Sequence, residues 1–518
     1  MSARAGAEPH MLDVYKSDKT SQSEYDRLTT ALRHQPQDVA DAFRGLHRER
    51  TSLHGQDSQD DFIRMASTLA DLFMFIPLND GGTWRAIIGS DLFEVYVSIV
   101  SHDEFFFERQ NMIDSVFHGL GHLLMASQRA RIVQLSVLWA RGAEHLWKRI
   151  WDNRRLLRIP QTNESPCTEV EAVEQGISII ELYWPYGKLV TTLALDVEAL
   201  SRSYIPHMGL YLFVRCNPVF PGLHRLLEPV IQLARSSSGA NQASAALQLV
   251  FQEAVIEDVG SIALLERINW CMTRKDRSLI DTIVPRNITE LANCTSVLML
   301  LSMITSLAPL MERYGCLHSA MLAIRVHRYS MPMQVYDNVA ILLRSLSDAH
   351  WLDGDVEKTA TICGEDVVTF LACGLELYTT DYFVGVDLSQ LIDQYTAQAK
   401  TIQHGPKPIP PLSKTLFEGL RAGANAEWWP TLRYLQKAVP SARNMKLRIQ
   451  VATEKWVAFG TALGLDATNE RQRHERELRK RCSWRECQYH KESLPEVNIK
   501  ACAGCGETRY CGRICQKR

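Results

Sequence analysis

Apolar residues recur along this chain at helical spacing. Between residues 58 and 76, Phe62, Met65, Leu69, Leu72 and Phe73 fall on one stripe. Residues 111–126 repeat the pattern with Met112, Val116, Leu120, Leu123 and Leu124. Residues 132–149 do so with Ile132, Leu135, Leu138, Trp139 and Leu146. The same habit returns at 225–234, 244–256, 335–346 and 441–463. Strand-like alternation bounded by turn residues is scarce. The pattern predicts an all-α protein, each helix hiding one stripe against its neighbours.

Three stretches interrupt it. The first 22 residues are polar and rich in small side chains, which predicts a disordered tail. Residues 404–413 carry four prolines in six positions, 406–411, and predict an extended loop between helical blocks. Residues 471–481 alternate Arg and Lys with Glu475 and Glu477, as a solvated helical connector does. Residues 23–470 then form a helical body, long enough for one large domain or two ordinary ones. No motif recurs with a period of 34 to 47 residues. Many similar helices in series still favour an armadillo- or HEAT-like solenoid over a compact all-α enzyme fold. The most apolar run, Ser296–Met311, is too short and too broken by Pro309 and hydroxyls to cross a membrane, and predicts a core helix.

Composition adds little until charge is mapped. Apolar content of 46% and charged content of 22% are ordinary for a folded protein. The net charge of −2 hides an asymmetry: residues 471–518 hold 13 Lys or Arg against six Asp or Glu. That excess could draw an acidic partner or nucleic acid. No secretory signal is visible, so the chain is expected in a reducing compartment, cytoplasm or nucleus, with its thiols free.

Chemistry is concentrated at the C-terminal end. Six of the 13 cysteines lie between 482 and 515. They form three pairs: Cys482 and Cys487, Cys502 and Cys505, Cys511 and Cys515. Paired thiolates at such spacings suit a tetrahedral zinc ion, each pair closing a small chelate loop. Gly504 and Gly506 relieve the turn at the middle pair, and the spacing of Cys511 and Cys515 suits the first turn of a helix. The other seven cysteines, Cys167, Cys216, Cys271, Cys294, Cys316, Cys363 and Cys373, predict small core residues.

The order of these pairs, closing on Tyr510-Cys511-x3-Cys515-Gln516, resembles a MYND-type zinc finger over residues 478–518. The resemblance implies two cross-braced zinc sites. Cys482, Cys487, Cys511 and Cys515 would hold the first ion. Cys502 and Cys505 would supply half of the second, whose remaining family ligands have no counterpart here; His490 is a conceivable substitute. It also implies docking of proline-containing peptides, with Trp484, Tyr510, Ile514 and Gln516 as contacts. The apolar members of that set could equally form the finger's own small centre. The loop 404–413 is itself a candidate ligand.

Catalytic motifs are missing. There is no phosphate-binding glycine loop, no dinucleotide fingerprint, no His-Glu-x-x-His and no Gly-x-Ser-x-Gly elbow. His118 and His122 share a helix face and could pair on a metal, though packing or surface histidines are the default. The sequence therefore predicts a non-enzymatic zinc-binding adaptor with no membrane association. An all-α enzyme or ligand-binding domain with the finger as a recruitment module is the first alternative. A nucleic-acid-associated transcriptional regulator using the basic C-terminal region is the second.

Overall fold

Helical periodicity becomes helix wherever the stripes above can be followed. A computed structural model describes residues 22–517 except 54–55, 78–79, 130–132, 158–168, 193–196, 217–221, 236–239, 274–283, 305–306, 327–332, 353–361, 378, 380–386, 405–410, 439–442, 485–486, 488, 490–497 and 503–507. The chain divides into two compact units, Met1–Arg267 and Ile268–Arg518.

The first unit contains α1 (Gln22–His34), α2 (Pro36–Leu53), α3 (Gln56–Phe75), α4 (Gly81–Ile88), α5 (Leu92–Ser101), α6 (Gln110–Arg129), α7 (Val133–Asp152), α8 (Glu169–Thr192), α9 (Val197–Arg202), α10 (Ile205–Arg215), α11 (Glu228–Arg235) and α12 (Ala240–Phe251); α13 (Ser261–Thr273) spans the division. Here α3, α6 and α8 pack in one row, and α2, α5 and α7 in another. In the first row α6 and α8 run parallel: Ser178 donates to Asp114 and, further along both helices, Gln128 donates to the Pro185 carbonyl. Ser67 of α3 meets Ser115 of α6 at 2.7 Å.

The second unit contains α14 (Val284–Ser302), α15 (Ala308–Arg313), α16 (Cys316–Val326), α17 (Met333–Leu352), α18 (Gly364–Leu377), α19 (Asp387–His404), α20 (Pro411–Lys437), α21 (Arg443–Ala462) and α22 (Ala467–Leu478). Two rows form here as well: α16 packs on α18, α18 on α20 and α20 on α22 in one, and α14 on α17, α17 on α19 and α19 on α21 in the other. Successive helical hairpins stacked side by side give this alternation, so each unit is repeat-like in its packing although its sequence repeats nothing. The α18–α20 contact is close. A Cβ on Gly364 would lie 2.3 Å from the Leu420 backbone nitrogen, so only glycine permits that approach.

The predicted stripes are buried where their side chains are described. Phe62, Leu69, Leu72 and Phe73 of α3 and all five named residues of α6 lie in the core, while Met65 is half-buried; of the 132–149 stripe Leu146 is in the core, and Ile132, Leu135, Leu138 and Trp139 lie outside the described side chains. Trp84, Trp147, Trp428 and Trp456 are fully buried. The last two exchange bonds: each indole N–H donates to the other's carbonyl, at 2.8 and 3.0 Å. That pins α20 to α21 and leaves neither indole unsatisfied.

Some boundaries differ from the sequence pattern. The 225–234 stripe is split between a 3-10 turn, Leu223–Leu227, and α11. The 244–256 stripe changes at Phe251 from α12 into a π-helical Gln252–Val259. Of the proline-rich stretch, His404 ends α19 and Pro411 opens α20, where a missing N–H costs nothing. Residues 405–410 lie outside the described residues, as does the tail 1–21. The Ser296–Met311 run divides between α14 and α15, with Val297, Leu298, Leu300 and Leu301 buried. Among the described residues no helix is long and apolar enough to cross a membrane. Cys216, Cys294, Cys316 and Cys373 are core residues as expected, but Cys271 is only half-buried and Cys363 is exposed just before α18; Cys167 lies outside the described residues.

Candidate metal centre

Among the described residues, the C-terminal end of the second unit has almost no apolar interior. They include a hairpin of β1 (Lys500–Ala501) and β2 (Arg509–Tyr510), antiparallel, with Lys500 opposite Tyr510 and Ala501 opposite Arg509. A one-and-a-half-turn helix, Arg513–Lys517, follows. Backbone bonds tie the preceding loop to these elements. The Cys482 N–H donates to the Tyr489 carbonyl at 2.9 Å, Ser483 N–H to the Arg509 carbonyl at 2.6 Å, and Arg509 N–H to the Ser483 hydroxyl at 2.8 Å. Two segments far apart in sequence are thereby laid side by side.

That arrangement gathers four of the six clustered cysteines. The sulfurs of Cys482, Cys487, Cys511 and Cys515 all lie within 4.8 Å of one another. Cys487 is 3.5 Å from Cys511, and Cys511 is 3.4 Å from Cys515. These separations are far beyond a sulfur–sulfur bond, about 2.05 Å. They are close to the ~3.8 Å edge of a sulfur tetrahedron around an ion with bonds of about 2.3 Å. The donor set therefore fits a metal ion. Cys511 precedes the short helix and Cys515 lies within it, so the pair meets across a helix start rather than within a full turn.

The thiols push on one another. Burial, followed by the other three sulfurs, drives Cys515 well above the ordinary thiol range. Burial also raises Cys511. Burial acts on Cys487 as well, but there the Tyr489 backbone N–H and the three neighbouring thiols prevail and hold it low.

Cys482, Cys487 and Cys515 are the buried centre of this region, with Trp484, Tyr489, Ile499 and Tyr510 packed round them. Trp484 and Tyr510 are thus partly used in covering the sulfurs. Ile514 is the outward residue, 75% exposed, and Gln516 is exposed beside it. Cys502 is half-buried at the hairpin end, its N–H donating to the Thr508 carbonyl at 2.7 Å, and is not one of the gathered four. Cys505 and His490 lie outside the described residues.

The basic connector is helical through Leu478 as α22. The Asp466 carboxylate caps it, accepting from Thr468 and Asn469 at 3.0 and 2.9 Å. Arg471 pairs with Glu475 and Lys480 with Glu477, both at 2.9 Å, so interleaved acids neutralise part of the basic run. Arg473 bonds Glu470, itself buried, and the Asn425 carbonyl of α20. These bonds dock the connector on α20.

A second group of metal-ligating side chains stands in the first unit. His118 and His122 share a face of α6, and Glu181 of α8 joins them. Sequence spacing found the two histidines. Nothing in the sequence marked Glu181, which reaches them only through the packing of two separate helices.

No family model and no curated protein matches this chain. Among solved structures it is similar to a "circular tandem repeat protein with novel repeat topology and enhanced subunit contact surfaces", at 12% identity over 87% of this chain and 99% of that one, with a TM-score of 0.23. The chain's chemistry is therefore read from its own residues, and they assign it two helical units, repeat-like in packing, with a four-cysteine cluster fit for a metal ion at the C-terminal end.

Proposed function

We propose that this chain is a zinc-dependent adaptor: a helical scaffold carrying a MYND-type finger that docks proline-containing peptides. The gathered sulfurs of Cys482, Cys487, Cys511 and Cys515 are the observation that carries the proposal. Four thiolates favour zinc over harder ions. Zinc would balance their charge and lock the hairpin, the 482–487 loop and the short helix into one unit, since so small a region lacks the apolar area to fold on its own. Ile514 and Gln516, exposed beside Tyr510, would form the edge that meets a peptide. The two-layer helical units would offer the broad faces on which such scaffolds bind other proteins.

The test uses the full chain. Its zinc content is measured before and after mild chelation, and binding of a labelled peptide with the 403–414 sequence is followed in both states. The proposal expects at least one tightly held zinc and peptide binding that disappears on chelation and in Cys482→Ser. Zinc-free protein purified under reducing conditions with zinc supplied would remove the finger. Peptide binding unchanged by chelation would remove its role in docking.

A further inference from the structure

We propose that His118, His122 and Glu181 form a second metal site, for a divalent first-row transition ion, inside the first helical unit. One ligand atom from each lies within 4.8 Å of the other two. An ion bound at about 2.1 Å by imidazole and carboxylate ligands sets them ~3.4 Å apart, so small side-chain rotations suffice. His118 and His122 are one helical turn apart, their rings inclined by only 19° with centroids 6.5 Å apart, so both present to the same side of α6. Glu181 comes from the neighbouring α8 and already bonds His118.

The backbone is shaped for this meeting. Gly121 sits between the histidines in sequence, where α6 crosses α8. A Cβ there would lie 3.0 Å from the Glu181 carbonyl oxygen, so any side chain would press on the α8 backbone. Glycine at 121 therefore sets the helix spacing that brings the carboxylate to the imidazoles. One turn earlier the Asp114 carboxylate accepts from Ser178 of α8 and, at 3.1 Å, from Gln110. His118 lies near enough to Asp114, and to Asp71 of α3, to act electrostatically on both carboxyls. A dication held by two neutral imidazoles and one carboxylate keeps a positive charge, and these two acids lie where they would balance it.

Two histidines and one carboxylate supply three ligands and leave a position open, the pattern of reactive rather than purely structural sites. The site is reachable: the His118 and Glu181 side chains are 19% and 32% exposed. A simple His118–Glu181 ion pair would account for two of these residues. It gives no role to His122 or to the closeness that Gly121 allows.

Cobalt(II) titration of the metal-free full chain tests the proposal, because thiolate and imidazole–carboxylate sites differ in their spectra. The wild-type chain is expected to take up one equivalent that produces no thiolate charge-transfer band. His122→Ala and Glu181→Gln should each lose that equivalent and keep the thiolate band. Equal uptake by wild type and both variants overturns the site. A missing thiolate band overturns the finger and leaves this site standing. Zn²⁺ added to the Cys482→Ser, Cys515→Ser chain guards against a variant that misfolds. The unfolding midpoint of the first unit should rise, and no shift overturns the proposal.

Discussion

The two groups of ligating side chains are held in opposite ways. The cysteines sit in a region whose buried centre consists of the sulfurs themselves, with Trp484, Tyr489, Ile499 and Tyr510 around them. The histidines and Glu181 project from helices whose apolar stripes are already in the core, with Val116, Phe117, Leu120 and Leu182 fully or nearly fully buried. In the first case the ion would make the structure. In the second the structure makes the site, and the ion would be optional to folding. Ligand chemistry alone says little about what a metal does for a protein; the apolar area behind the ligands decides it.

Chelation should break this comparison most visibly. Structural zinc sites contribute on the order of 10 kcal/mol to the folding of such small regions. Removing zinc should therefore abolish amide-exchange protection in residues 482–517 and leave α1–α21 protected. Hydrogen exchange with mass spectrometry reads both at once, and loss of protection across the helical units would contradict the distinction.

Packing substitutions should do the reverse. Gly364→Ala puts a methyl group against the Leu420 backbone, and forcing α18 from α20 should cost about 1–3 kcal/mol. Chemical denaturation should show this loss while the metal content stays the same.

Acid sharpens the contrast within the first unit. Burial, then the charges of Arg50 and His102, pushes His47 down to about 4. The unfolded chain binds that proton near 6.5, so its contribution is complete above about pH 6.5 and is lost as pH falls toward 4. A loss of order 1 kcal/mol by pH 5 is expected, after allowing for solvent screening. Replacing His47 with Gln should flatten that part of the stability–pH curve.

The smallest effect is reserved for Ile514. At 75% exposure it supports little, and Ile514→Ala should change stability by less than about 0.5 kcal/mol. Peptide affinity of the zinc-loaded chain should nonetheless fall. An unchanged affinity would place the peptide edge elsewhere.

Much of this was legible in residue order where the interactions are local. The stripe of α6 declared itself because positions three and four apart share a face, and all five of its named residues are buried. The cysteine pairs declared themselves because chelate loops are short. Three things were not legible. Glu181 reaches His118 across 63 residues, and no local spacing encodes a helix crossing. The tight α18–α20 contact depends on Gly364, and no local spacing says which distant segment a glycine will meet. The same chain length hid the division at Arg267, because units separated by packing need no change in composition. Cys363 was misplaced for a related reason: a cysteine at a helix start can face outward, whatever its apolar character.

The central claim is that Cys482, Cys487, Cys511 and Cys515 hold zinc. Zinc K-edge absorption on the full chain, purified under reducing conditions, addresses it most directly. A sulfur shell at about 2.3 Å that disappears in Cys482→Ser is the predicted result. Zinc surrounded only by nitrogen and oxygen, or a sulfur shell unchanged in the variant, would contradict it.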